Sequence, residues 1–145
     1  MWALWLALAL VEPALAQSPS DAIAALEQQR GPIESMVRDQ IEAFRRDDAA
    51  AAWKPVAPGL KRQLGTADRF LEMVREGYAP VYRPQRYSFG RMLYFDGGPA
   101  QSLDVVGPDG KPYRAIYLLE QQPDGTWATA GCILFAVEPA GSPST

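Results

Sequence analysis

Histidine is absent from the 145 residues, and cysteine occurs once, at Cys132. Without an imidazole there is no Ser-His-Asp or Cys-His nucleophile system of the usual kind. One thiol cannot assemble a His/Cys zinc site, so neither a metal nor a cofactor is expected. A surplus of one charge is lacking as well: 14 Lys+Arg against 17 Asp+Glu leave a formal charge of −3. So mild an acidity gives no global field for polyanions. Long apolar runs are missing too. The most apolar stretch, Met1 to Val11, stops at Glu12-Pro13, well short of the roughly 20 residues that cross a bilayer.

What is present, 48% hydrophobic and 21% charged residues, fits one globular domain. The N-terminal run followed by Ala14-Leu15-Ala16 reads as a secretory signal cleaved after Ala16, although its n-region holds no Lys or Arg. The expectation is therefore an exported protein, periplasmic or extracellular, with no membrane span after processing. In such a compartment Cys132 has no internal partner; it is either buried and inert or free for an intermolecular bond. Its apolar flanks, Gly131 and Ile133, favour the buried thiol.

Residues 17–31 are small and polar, a flexible segment with a short helical stretch from Asp21 to Gln29. The domain proper is expected over 32–137, followed by a Pro/Ser/Gly-rich, disordered tail at 138–145. From Pro32, the residues Ile33, Met36, Val37, Ile41 and Phe44 recur at helical spacing. Asp48 is placed to cap a short helix, Ala49 to Trp53, which Pro55 and Pro58 end. Thr66 caps a third, with Phe70, Met73 and Val74 as its apolar stripe and Gly77 at its end. Pro80 and Pro84 predict an extended Ala79 to Gln85.

Beyond Tyr87 the chain turns aromatic and β-branched. Asp96-Gly97-Gly98, Pro108-Asp109-Gly110 and Pro123-Asp124-Gly125 divide it into strands at about 86–95, 100–106, 112–121 and 126–137. Links this short require antiparallel neighbours. Helices followed by a meander define an α+β domain, with N-terminal helices packed on a four-stranded antiparallel sheet. In the third strand Tyr113, Ala115, Tyr117 and Leu119 alternate with Arg114, Ile116, Leu118 and Glu120, which leaves apolar groups on both faces. One helical layer covers one face, so either a second copy covers the other, giving a homodimer through the sheet, or the sheet curls.

Three stretches, Gln40 to Asp48, Phe70 to Pro84, and Asp124 to Trp127 with Gly131-Cys132, resemble the domain-of-unknown-function 4864 family over about residues 33–136. That family is similar in turn to the nuclear transport factor 2-like (cystatin-like α+β cone) superfamily. The resemblance implies a strongly curved sheet forming a cone plugged by helices. It also implies a choice among isomerases, dehydratases and non-catalytic binding or dimerisation modules, which fold alone does not make.

The densest chemical cluster interleaves Arg75, Tyr78, Tyr82, Arg83, Arg86, Tyr87, Arg91 and Tyr94. Such a series can stack bases and track phosphates, but export argues against nucleic acid. It can also hold a small anion through Arg83 beside phenol hydroxyls, or simply pack its rings and pair its guanidinium groups with Glu72 and Glu76. Tyr117 and Trp127, with Tyr113 and Trp53, are rings that line a cavity or fill a core. Tyr78, Tyr82, Arg83, Tyr94, Tyr117 and Trp127 are thus the candidate binding residues, for a small anionic or lipophilic ligand. Asp104 and Glu120 are the strand carboxylates available as a general base beside a tyrosine donor. Asp47 and Asp48 read as capping groups. The favoured function is a non-catalytic ligand-binding or interaction module, and the alternative is a cone-fold isomerase or dehydratase using carboxylate and tyrosine.

Overall fold

A computed structural model of the protein describes residues 18–138. The signal segment 1–16 and nearly all of the expected tail, 139–145, lie outside the described residues. Helix α1 (Pro19–Glu27) starts with Pro19 in its first turn and Ser18 as cap, the hydroxyl accepting from Asp21 N–H. Helix α2 (Arg30–Arg45) begins two residues before the expected Pro32. That proline still falls in the first turn, where a missing N–H leaves no bond unmade. Arg30 braces the corner by pairing with Glu27 at 2.7 Å and Glu34 at 2.9 Å.

Asp48 caps α3 (Ala49–Trp53) by accepting from Ala51 N–H, and Thr66 caps α5 (Ala67–Gly77) by accepting from Arg69 N–H. Both match expectation. Two helices do not. Pro58 opens α4 (Pro58–Leu64) rather than only ending its predecessor, and the segment expected to be extended forms α6 (Ala79–Tyr82) around Pro80. Prolines in a first turn pre-set φ and forfeit no hydrogen bond. Burial of Pro80, Val81 and Tyr82 adds the tertiary reward that local sequence does not display.

Strands β1 (Arg86–Phe95), β2 (Gly98–Val106), β3 (Pro112–Gln121) and β4 (Trp127–Ala136) form one antiparallel sheet in the order β1-β2-β3-β4. The β1–β2 hairpin closes through Asp96 (φ 52°) and Gly97 (φ 82°), the two left-handed residues that a tight hairpin turn requires. Irregular registers lie between Phe89 and Met92 and between Leu118 and Leu119. They bend the sheet, but it is not strongly curled, so the expected strong curvature is corrected. Cover comes instead from helices: α1 meets β1, α6 meets β2 and α2 meets β4. The α3–α4 link also shields the β4 edge, with Thr129 N–H donating to Pro55 C=O at 2.7 Å and Ala57 N–H to Thr129 C=O at 2.9 Å.

The inner face of the sheet, with Leu103, Val105, Ala115, Tyr117 and Leu119, meets Ile33, Val37, Ile41, Phe44, Phe70 and Val74 of the helices. Each Val, Leu, Ile or Phe among them contributes roughly 1.5–3 kcal/mol when fully buried. A run of aromatic contacts, Trp53 to Phe70 at 5.7 Å, then Phe70 to Phe44 and Phe44 to Tyr82 at 5.8 Å each, links α3, α5, α2 and α6.

Candidate functional site

Between the helices and the β3–β4 side of the sheet the packing is incomplete and leaves a cavity of about 250 Å³. Phe44 of α2, Phe70 and Val74 of α5 and Val81 of α6 form its helical wall; Tyr117 of β3 with Thr129 and Cys132 of β4 form the other. Met73 is its exposed member, and Leu60, Tyr78, Leu118 and Cys132 are half-buried. No Asp, Glu, Lys or Arg is among the lining residues.

The polar groups that do reach this wall are distinct in their bonding. Gln40, fully buried, donates from Nε2 to Ala52 C=O at 2.9 Å and accepts from Thr129 Oγ1 at 3.1 Å. The Tyr117 hydroxyl is enclosed as well, with no hydrogen-bond partner among the described residues. Burial, reinforced by Cys132 and Tyr87, holds the Tyr117 phenol well above its ordinary value, so it keeps its proton. Cys132 lies opposite Tyr117 in the sheet register, and burial pushes its thiol up to about 12.

The candidate binding residues separate into three places. Tyr78 and Tyr117 line the cavity. Tyr82 and Arg83 belong to a second cluster: the Tyr82 hydroxyl donates to Asp47, and Arg83 grips the same carboxylate at 2.8 and 2.9 Å while donating to Arg45 C=O. Arg75 donates to the Tyr82 hydroxyl at 3.3 Å. The Tyr82 bond and then the two guanidinium groups hold the Asp47 carboxyl below the usual range. Arg83 is thus engaged by Asp47 of the α2–α3 corner rather than by Glu72 or Glu76, and Asp47 is an ion-pair partner while Asp48 does the capping. Tyr94 and Trp127 line an open groove beside α1, where the Trp127 indole N–H is buried without an acceptor among the described residues.

Asp104 lies exposed on the outer face, paired with Arg114 at 3.0 Å, and Glu120 is exposed; neither lines the cavity. Gln40, Thr129 and Cys132 were not singled out as site residues by the sequence. Gln40 carried a readable signal, an amide on the apolar stripe between Val37 and Phe44. No group of three or more acidic or Cys residues able to hold a metal ion occurs among the described residues, and no helix among them is long and apolar enough to cross a membrane.

An α+β domain whose helices roof an antiparallel sheet, with an uncharged cavity between the layers, is the class that fold and site define. The chain belongs to the family described as Domain of unknown function (DUF4864), matched over residues 26–141. No curated protein and no solved structure matches it.

Proposed function

We propose that the protein is a non-catalytic binding module that takes a small, mainly apolar molecule into the cavity between α5 and the β3–β4 hairpin. The observation that carries this reading is the cavity itself, about 250 Å³ with no charged residue in its lining. An apolar cavity of roughly 150 Å³ is already enough to bind benzene. Support for an anionic ligand is weaker, since the Arg83 guanidinium is held by an internal carboxylate. The isomerase or dehydratase alternative lacks a base at this site, as Asp104 and Glu120 both lie elsewhere. Kinship with nuclear transport factor 2-like domains draws on the element order, helices first and then a bent meander with a cavity between them. Action outside the cytoplasm draws on the apolar run and the Ala14-Leu15-Ala16 site.

Thermal-shift titration with neutral bicyclic compounds, tetralin and 1-tetralone among them, tests the binding reading. A ligand at a hundredfold its Kd stabilises by about 2.7 kcal/mol, several degrees for a domain of this size. A panel without a single stabilising compound would overturn it.

A further inference from the structure

Resting on that cavity reading, we infer that the natural occupant of the cavity is one bulky apolar side chain of an extended, uncharged peptide, which adds as a further strand along the open edge of β4. The order β1-β2-β3-β4 leaves β1 and β4 as edges, and an edge is a row of backbone donors and acceptors that proteins guard against stray pairing. β1 is guarded. It carries Arg86 and Arg91, its register is irregular between Phe89 and Met92, and the Arg30 guanidinium donates to Gly90 C=O at 3.2 Å. The first part of β4 is covered by the α3–α4 link at Thr129. Residues 131–136 have no such device: no charge, no proline and a regular register.

The pairing decides which groups this stretch offers. Val137 N–H donates to Pro112 C=O at 3.1 Å, directly beyond the pair Tyr113 and Ala136. Bonded and non-bonded pairs alternate along an antiparallel ladder, so Gly131, Ile133 and Phe135 bond to β3 while Cys132, Leu134 and Ala136 turn N–H and C=O to the open side. No hydrogen bond from outside the sheet reaches those three among the described residues. The cavity lies at the same edge, with Thr129, Gly131 and Cys132 in its lining. Cys132 pairs with the buried Tyr117, so a residue set opposite Cys132 on an added strand points to the cavity side of the sheet. Scaled from benzene in roughly 150 Å³, the 250 Å³ here takes about ten non-hydrogen atoms, the size of an indole side chain. Neither the lining nor residues 131–136 carry a charge, so an uncharged segment complements them and a charged one would lose hydration without gaining a partner. A row of main-chain bonds beside a side-chain pocket is the arrangement by which strand addition combines affinity with specificity.

The probe is acetyl-Thr-Thr-Trp-Thr-Thr-amide, with amide hydrogen exchange and calorimetric titration as readouts. In the free protein the Cys132, Leu134 and Ala136 amides should exchange quickly and those of Ile133 and Phe135 slowly. Saturating peptide should slow at least two of the first three by about tenfold or more. Alanine in place of the peptide's tryptophan should weaken binding by about tenfold or more, as loss of a buried anchor requires. Tetralin is the control for the cavity itself. Tetralin binding without peptide binding, peptide binding without protection of that edge, or equal affinity for the alanine peptide would overturn strand addition while leaving the cavity as a binding site. Failure of both tetralin and the peptide would overturn the cavity reading as well. Slow exchange of the Cys132, Leu134 and Ala136 amides already in the free protein would also overturn the inference, and fast exchange restored by dilution would identify a second copy as the cover.

Discussion

A phenol hydroxyl enclosed without an acceptor costs the ligand-free protein roughly 1–3 kcal/mol, the desolvation of a group that gets nothing in return. Tyr117 carries that cost at the centre of an otherwise well-packed sheet face. Tyr117→Phe is therefore expected to stabilise the protein by about 1 kcal/mol, a rise of a few degrees in Tm. A lower Tm would mean that the hydroxyl has a partner and is structural. Cys132 supplies a second residue-level expectation. With its thiol pushed up to about 12, only a minute fraction is thiolate at pH 8, and the thiolate is the nucleophile. Alkylation by N-ethylmaleimide should be slow in the native protein and fast in urea. Equal rates would show that the thiol is accessible and ionised.

At the scale of elements, the Asp47 carboxylate is the joint between the α2–α3 corner and the end of α6, since Tyr82 and Arg83 both converge on it. Asp47 also sits at φ 55°, a left-handed conformation that Asn tolerates equally well, so Asp47→Asn tests charge rather than backbone. Its native carboxyl is held below the ordinary value of 3.8. The stabilisation is then fully present above that value and is lost as pH falls below it toward the native value. Urea unfolding from pH 3 to 7 should show wild type losing stability more steeply below pH 4 than Asp47→Asn, with wild type the more stable above pH 5. Parallel curves would remove Asp47 from the acid limb. This joint was half legible in the sequence. Arg75, Tyr82 and Arg83 stood out as a cluster, but their partner lies 36 positions from Arg83, and no local pattern encodes that pairing. The same limit explains the elements. Strand bounds followed from Asp-Gly turns and alternation, and the caps at Asp48 and Thr66 from local chemistry. The helices at Pro58 and Pro80 are not legible in the sequence because a proline reads alike as a helix breaker and as a first-turn residue until burial decides. Of the cavity, Tyr78 and Tyr117 were nameable, yet an unfilled volume is a property of packing and leaves no mark in a residue pattern.

At the scale of the whole molecule, the alternation in β3 has a consequence on the outer face of the sheet. Leu93, Phe95, Ile116 and Phe135 line an open groove there, Ile133 stands opposite Ile116, and Phe95 and Phe135 remain 39% and 45% exposed. We propose a second copy of the chain as the occupant, for two physical reasons. Four strands of about ten residues, at ~3.3 Å per residue and ~4.8 Å between strands, present roughly 600 Å² before side-chain relief, close to the ~800 Å² per partner of a standard stable interface. This face also carries both signs, with Arg91 and Arg114 beside Asp104, so a two-fold axis can set opposite signs together without importing a different surface. Light scattering at high micromolar concentration should report twice the monomer mass for wild type. Phe135→Glu, which puts a carboxylate where an apolar contact is needed, should report the monomer mass with an unchanged far-ultraviolet spectrum, because the residue already meets solvent in the single chain. A wild type that stays monomeric, or a Phe135→Glu variant that still dimerises, would take the outer face out of the assembly.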